Sequence, residues 1–256
     1  MMSSATHLVL VPSYNTGPRL LSTVKEALGY WQPVWVVVDG STDGSELAVV
    51  ELARSEPGLR VIVLPRNGGK GAAVLVGSEA AQRMEFTHAL VMDADGQHPA
   101  DRIGDFMQES QAKPAALVLG RPVFGPEAPL VRLKGRQISV NLVHWETFGQ
   151  GIDDPLYGFR VYPLVPLLRV LRSTRGARRY DFDPEVAVRL FWAGTSTVNI
   201  AASCRYLSRA EGGVSHFHYV RDNVRMVWLH TRLITELVLW RWFGVWRLRR
   251  SISLIK

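Results

Sequence analysis

The sequence predicts an α/β fold, a mostly parallel sheet flanked by helices and followed by a C-terminal amphipathic helical tail. Three observations point there. Short Val- and Leu-rich runs alternate with helical patterns through the first half of the chain. The runs are apolar almost throughout, as strands covered on both faces must be. Polar or glycine-rich segments close successive runs, where a parallel sheet gathers its ligand-binding loops on one rim.

The first half supplies strands at residues 7–12, 34–39, 60–65, 89–93 and 116–120. Helical stretches fall between them at 19–30, 45–55, 72–85 and 102–111, with Ser41, Thr42 and Asp43 as capping candidates for the second. The second half is less regular. A loop at 125–129 precedes a helix over 130–148, a turn-rich block covers 153–160, a helix spans 183–193, and 205–215 reads as loop. Residues 222–248 read as a long, interrupted helix. The organisation expected is a catalytic domain over 7–215 and a basic, Trp-rich helical tail over 216–256.

At 256 residues and 47% hydrophobic content the chain is long enough for one large core. A single cysteine, Cys204, excludes an internal disulfide framework and fits a reducing compartment. The N-terminal segment has neither a basic stretch nor a long apolar run, so no signal peptide is expected. The net charge of +7 is unevenly placed. Residues 1–204 balance, while 205–256 carry ten basic and three acidic residues, which is the whole excess. Four of the eight tryptophans lie there too: Trp228, Trp240, Trp242 and Trp246. Arg and Trp mixed on an apolar helix suit a membrane interface better than nucleic acid. His230, Arg232, Glu236 and Arg241 interrupt the segment, so it is expected to lie on a membrane rather than cross it. The competing reading is a helix packed on the domain with its charges in water.

The segment Asp93-Ala94-Asp95-Gly96-Gln97-His98 carries the most chemistry. It closes an apolar strand, and alternate residues of an extended chain point the same way. Asp93, Asp95 and Gln97 therefore offer oxygen ligands to one site. Mg²⁺ or Mn²⁺ suits such ligands and shares its shell with waters and substrate phosphates. An isolated Asp-x-Asp is more often an acidic turn; its companions decide otherwise.

Those companions are Val11-Pro12-Ser13-Tyr14-Asn15, Val38-Asp39-Gly40-Ser41-Thr42-Asp43 and Asn67-Gly68-Gly69-Lys70-Gly71-Ala72. With the Asp93 segment, four motifs in this order at βα junctions resemble the family-2 glycosyltransferases of GT-A fold, especially the dolichyl- and polyprenyl-phosphate sugar transferases. The resemblance covers about residues 7–215. It implies a Rossmann-like sheet, a nucleoside-diphosphate sugar donor and a divalent cation. It also implies that Pro12 and Tyr14 border the nucleoside, that Asp39 accepts from a nucleobase N–H, and that Asp93 contacts ribose. Asp95 with Gln97 holds the metal that bridges the diphosphate. Lys70 and Arg121 add positive charge nearby, with a solvated loop charge as the competing reading of Lys70. Many relatives carry two adjacent Asp where this chain has Asp39 alone. The glycines at 68, 69 and 71 lack P-loop spacing and more simply permit a tight strand-to-helix turn.

On the acceptor side, Asp183-Pro184-Glu185-Val186 resembles the family's acidic helix start. Asp183 is the base candidate for a hydroxyl acceptor, a helix cap its competing role, and Asp181 a weaker candidate. Asp154 through Arg160 resembles the family's Gly-Phe-Arg segment, with Tyr157 where Ser or Thr is usual. Arg209 through His216 resembles its Arg…Gly-x-Ser-Lys loop, with one extra residue and His216 in place of Lys. The acceptor-side candidates are thus Asp154, Arg160, Arg209 and His216. The expected function is a metal-dependent inverting transferase passing sugar to a lipid-linked acceptor, phosphate or hydroxyl, peripherally at the cytoplasmic membrane face. Transfer to a soluble saccharide or small-molecule hydroxyl, and a non-catalytic nucleotide-binding membrane module, stand as alternatives. A pyrophosphorylase is disfavoured because its glycine-rich loop is absent after the first strand. Nucleic acid is not expected as a partner, because residues 1–204 are neutral and the tail carries no dedicated motif.

Overall fold

The computed structural model describes residues 2–126, 128, 130–174, 176–205 and 219–243. In chain order it contains β1 (Met2–Ser3), β2 (His7–Ser13), α1 (Arg19–Tyr30), β3 (Trp31–Gln32), β4 (Val34–Asp39), α2 (Ser45–Ser55), β5 (Leu59–Leu64), α3 (Lys70–Arg83) and β6 (His88–Val91). A short 3₁₀ turn at Ala100–Arg102 leads into α4 (Ile103–Ala112). Then follow β7 (Ala116–Phe124), α5 (Leu130–Glu146), β8 (Arg160–Pro163), α6 (Leu164–Ser173), α7 (Phe182–Trp192), β9 (Ser196–Cys204) and α8 (Tyr219–Phe243).

Seven strands form one sheet in the order β5-β4-β2-β6-β8-β7-β9, and β1 pairs with β3 beside it. Every pairing in the large sheet is parallel except those of β8, which runs against both β6 and β7. The order reverses between β2 and β6: the chain builds outward from β2 through β4 to β5, then returns to β2's other side. In open sheets of this kind the crevice at such a switch point is where ligands bind.

All seven residues of β2 and all six of β4 are buried, which is what a strand between two helical layers requires. Alternate residues serve opposite layers. Leu8, Leu10, Trp35 and Val37 join the core shared with α3, α6, α7 and α8. Val9, Val11, Val34, Val36 and Val38 join the one shared with α1 and α4. Each such side chain, fully buried, contributes on the order of 1.5–3 kcal/mol.

Several sequence expectations need correction. Strand β8, helix α6 and strand β9 were not anticipated. β6 ends at Val91, so Asp93 stands in the loop and not in the strand. β7 continues to Phe124 and pairs with β9 along its whole length, so both project past the rim. α8 is continuous over Tyr219–Phe243, not interrupted; residues 244–248 of the expected helix lie outside the described residues.

At the opposite end of the sheet His7 and His88 stack, centroids 4.3 Å apart. The His7 ring bonds Ser110 and Thr6; burial first, then the neighbouring His88, pushes it down from 6.5 to about 4. The folded chain therefore binds fewer protons here than the unfolded one. Stability contributed by neutral His7 is present above pH 6.5 and lost as pH falls toward 4, worth roughly 3 kcal/mol at most. Denaturant titrations of wild type and His7→Gln at pH 7 and pH 4 test this. The wild type is expected to lose more stability between the two pH values than the variant; equal losses overturn the assignment.

Candidate functional site

The site is built at the carboxyl ends of the central strands. After β2, the loop at Asn15 turns through a left-handed conformation (φ 46°) and is clasped to the loop after β4. The Asn15 N–H donates to Ser41 Oγ at 3.0 Å, and its carboxamide oxygen accepts the Thr42 N–H at 2.7 Å. Asp43 accepts the N–H groups of Gly17 and Ser45 and so ties the same two loops; the N-cap of α2 is Gly44, without a side-chain cap bond, and not one of the three expected residues. Pro12 is buried in β2, and Tyr14 stands half-buried at the mouth of the crevice.

Asp39, 2% exposed, ends β4 and accepts the backbone N–H of Gly68 at 2.9 Å and of Gly69 at 2.6 Å. A buried carboxylate holding two such donors is well satisfied. Its first role here is to fix the glycine loop that opens α3. That loop needs its glycines. Gly69 has φ 97°, and a Cβ on it or on Gly71 would run into the backbone carbonyl of Arg178 or Ala177. The glycines thus let the 177–179 segment lie directly on the start of α3, with the Gly71 N–H donating to the Arg178 carbonyl at 2.9 Å.

The packing delivers Lys70 to the centre. Its ammonium sits 2.7 Å from Asp93 Oδ1 and 2.7 Å from Asp183 Oδ2. Burial alone would lower the lysine, but the two carboxylates outweigh it and hold it well above the ordinary lysine value. Burial would likewise raise Asp93, yet the Lys70 charge brings it below the usual range. Lys70 is therefore a bridge between two loops and not a solvated charge. Gly158 roofs the cluster: a Cβ there would collide with the Lys70 ammonium and crowd Asp93.

Asp95 is in the opposite state. Burial, then the charge of Asp93, pushes it up to about 7. One oxygen accepts the Gln97 N–H at 3.0 Å, which folds the loop back on itself. A carboxylate that burial and a like charge destabilise is satisfied by a cation, so the donor set fits Mg²⁺ or Mn²⁺. Among the described residues no group of three or more His, Cys, Asp or Glu gathers as a closed cage. An open oxygen site with phosphate completing the shell is how Mg²⁺ is usually held.

His98 was not singled out from the sequence. Its Nδ1 accepts the Asp93 N–H at 2.9 Å, which leaves the proton on Nε2, facing the Asp93 carboxylate at 3.7 Å. Burial pushes the ring down to about 4, so it is neutral, and it packs edge-on against Tyr157. The one legible signal was its place closing the acidic loop.

The remaining candidates are spread out. Asp183, at the start of α7, keeps a buried Oδ1 without a hydrogen-bond partner. Asp181 serves its own loop, accepting the Ala177 and Arg179 N–H groups. Asp154 is clamped by Arg136 through two bonds of 2.5 and 2.6 Å and accepts the N–H groups of Leu156 and Tyr157. Arg160 is fully buried beneath the site. It donates to the carbonyls of Tyr157, Pro155 and Asp183 at 2.8, 2.6 and 2.6 Å, so it holds the 154–159 loop against the start of α7. Arg121 lies exposed on the projecting part of β7, 3.7 Å from Asp153. The Arg205 N–H donates to the Gln97 carbonyl at 3.1 Å, so the chain leaves β9 beside the Asp95 loop. Arg209 and His216 follow and lie outside the described residues.

The family model of glycosyl transferase family 2 matches residues 8–172. The chain belongs to that family. Polyprenol monophosphomannose synthase of Mycolicibacterium smegmatis is 29% identical over 204 residues, 75% of each chain. A dolichyl-phosphate beta-glucosyltransferase of Trichomonas vaginalis is 29% identical over 205 residues, 70% of this chain and 58% of that protein, so the chain spans little more than half of that relative. Among solved structures, glucosyl-3-phosphoglycerate synthase from Mycobacterium tuberculosis, in complex with Mn²⁺, UDP-glucose and phosphoglyceric acid, superposes with TM-score 0.60 over 92% of this chain and 79% of its own, at 17% identity. The sheet and helices are those of a GT-A glycosyltransferase.

Removing Lys70 leaves Asp93 and Asp183 facing each other unpaired. Lys70→Ala is expected to lower stability by about 1–3 kcal/mol, less than the ~3–5 of a fully buried pair because Asp93 is partly open to solvent. Denaturant unfolding checks it; an unchanged midpoint overturns the bridging role.

Proposed function

We propose that this glycosyltransferase moves a sugar, with inversion and with the help of a divalent cation, from a nucleoside-diphosphate sugar to a polyprenyl-type lipid phosphate at a membrane surface. The observation that carries the reading is Lys70 held between Asp93 and Asp183 beside Asp95, with Asp39 fixing the glycine loop that delivers it to the carboxyl ends of the central strands. Three carboxylates around one crevice, with one lysine, suit a ligand that combines hydroxyls and N–H donors with a cation-bound diphosphate.

In this reading Asp39 and Asp93 face the nucleoside, and Asp95 with the Gln97 side chain holds the cation. Bound there, Mg²⁺ or Mn²⁺ supplies positive charge against the departing diphosphate. The reaction is one in-line displacement: an acceptor oxygen bonds the anomeric carbon as the bond to the diphosphate oxygen breaks. A phosphate acceptor arrives as an anion and has no proton to lose. Lys70 fits that case, because it occupies Asp183 Oδ2 and presents positive charge where an anionic oxygen must approach. The relatives named for polyprenol- and dolichyl-phosphate chemistry support the same acceptor.

One observation favours a second acceptor class. Asp183 Oδ1 has no hydrogen-bond partner, so one oxygen of this carboxylate is not taken up by the protein, which supports a base for a hydroxyl acceptor. Asp183→Asn separates the two: a hydroxyl acceptor predicts a fall in kcat of about 10²–10⁴, and a phosphate acceptor a far smaller one.

Membrane contact is supported by two adjoining surfaces. α8 exposes Val224, Val227 and Trp228, then Leu239 and Trp240. Beside it, Trp145 and Phe148 with Leu237 and Val238 line an apolar groove of about 540 Å³ between the ends of α5 and α8. Among the described residues no helix is long and apolar enough to cross a bilayer. Flotation with neutral phosphatidylcholine vesicles is expected for wild type and lost in Trp145→Glu/Trp240→Glu; equal partitioning defeats the interfacial reading.

The donor is tested by calorimetric titration with UDP and with GDP, each with and without Mn²⁺. One nucleotide is expected to bind in a metal-dependent manner, and Asp95→Asn to lose the metal-dependent part. The same variant removes a charge strained by burial, so its metal-free melting temperature is expected at or above wild type. A variant that binds with an undiminished metal response overturns the assignment of Asp95.

A further inference from the structure

A basic cavity shares no side chain with the carboxylate cluster. It measures about 300 Å³ and lies between the segment preceding α7 and the flank of α8 that carries Arg225, Trp228, Leu229 and Arg232. Four guanidinium groups line it: Arg178, Arg179, Arg225 and Arg232; Asp181 is the one acidic residue of the lining. We infer that this cavity is a binding site for a phosphate monoester, separate from the crevice proposed for the donor.

The charge balance is the first ground. Both Asp181 oxygens are engaged by backbone N–H groups. Arg178 donates to the carbonyls of Leu171 and Thr174 and Arg179 to the Asn67 side chain, so neither has a carboxylate partner among the described residues. Arg225 shares Asp222 with Arg221. Arg232 shares Glu185 with Arg189 and with the Thr174 hydroxyl. Two donors, Arg178 Nη1 and Arg232 Nε, are buried with no hydrogen-bond partner. These two lie behind the cavity wall, Arg232 Nε beside the unpartnered Glu185 Oε2. The head groups that border the cavity have no carboxylate to themselves, and a multiply charged oxyanion accepts from several of them at once.

Shape is the second ground. Gly176 leaves room for the Arg232–Glu185 pair, since a Cβ at that position would strike the Glu185 carboxylate and both terminal nitrogens of Arg232. Planar guanidiniums converging on a small cavity suit the tetrahedral face of a phosphate better than a planar carboxylate or a cation. Trp228, 67% exposed, forms the wall on the α8 side, and Val224 and Val227 continue the exposed apolar surface from it. A phosphate seated here can carry an organic substituent outward along α8. Lipid phosphates and soluble phosphate esters share this chemistry.

The cavity contains none of Asp39, Lys70, Asp93, Asp95 or Asp183, so its test stands apart from the donor test. The full-length protein is titrated calorimetrically with inorganic phosphate and with glycerol 3-phosphate, and sedimented with phosphatidylcholine vesicles with and without phosphatidic acid. Saturable binding of the soluble phosphates is expected, about tenfold weaker in Arg179→Gln/Arg225→Gln and unchanged in Arg54→Gln/Arg83→Gln, which removes equal charge elsewhere. Binding to phosphatidic acid vesicles that glycerol 3-phosphate displaces identifies a lipid headgroup as the source; soluble binding without vesicle binding identifies a small phosphate ester. Equal weakening in the two double variants, or no saturable binding in wild type, overturns the site. Arg179→Lys/Arg225→Lys, which keeps both charges and loses both guanidinium forks, is expected to bind more weakly than wild type and more tightly than the glutamine pair with circular dichroism unchanged, so a folding defect in the glutamine variant does not leave the proposal undecided.

Discussion

The ammonium of Lys70 is the contact on which the site depends. Two carboxylates, one in the loop after β6 and one at the start of α7, come within a few ångströms of each other in a partly desolvated place. Without a cation between them that approach is repulsive, and with one it is a joint. Lys70 occupies that position because Asp39 fixes the glycine loop before it and the 177–179 backbone packs on the glycines themselves. The chain therefore joins its first half to its second through one lysine whose placement is set by backbone hydrogen bonds and not by its own side-chain preference.

The same arrangement divides the acidic residues by state. Asp93, beside Lys70, is stabilised as an anion; Asp95, two residues on and without such a partner, is destabilised by burial and by Asp93 itself. Neighbours of identical chemistry thereby take different tasks, one satisfied within the protein and the other suited to an outside cation. His98 supports the division by holding the Asp93 backbone while staying neutral, so it adds no charge that would quench Asp95.

Much of the parallel half was legible because its strands are apolar on both faces and end in polar punctuation, a pattern local in sequence. β8 was not: its four residues, Arg160-Val161-Tyr162-Pro163, begin with an arginine and end with a proline, and nothing local marks them as central. They are central because Arg160 finds three backbone carbonyls, a tertiary fact. β9 reads as polar since its residues are mostly half-covered at the sheet edge. The roles of Lys70, Gly158 and Arg136 depend on partners 18 to more than 100 residues away, which periodicity does not encode. Tyr14, Asp39, Asp93 and Asp95 were recoverable because each stands at a strand end, where sequence position alone fixes the rim.

The reversed direction of β8 has a consequence for how such a chain diversifies. A parallel strand brings to the rim the loop that follows it; β8 brings the loop that precedes it. The peptide from β7 to β8 thus leaves the rim and returns to it, an excursion whose ends are pinned at adjacent strands of a rigid sheet. Its outward stretch can change in length without shifting the register of any strand, while its return is held on the Asp93 loop by Gly158 and by Tyr157 against His98. The chain is modular at that point only on the way out: the departing stretch is free to vary, and the returning one is a fixed post of the rim.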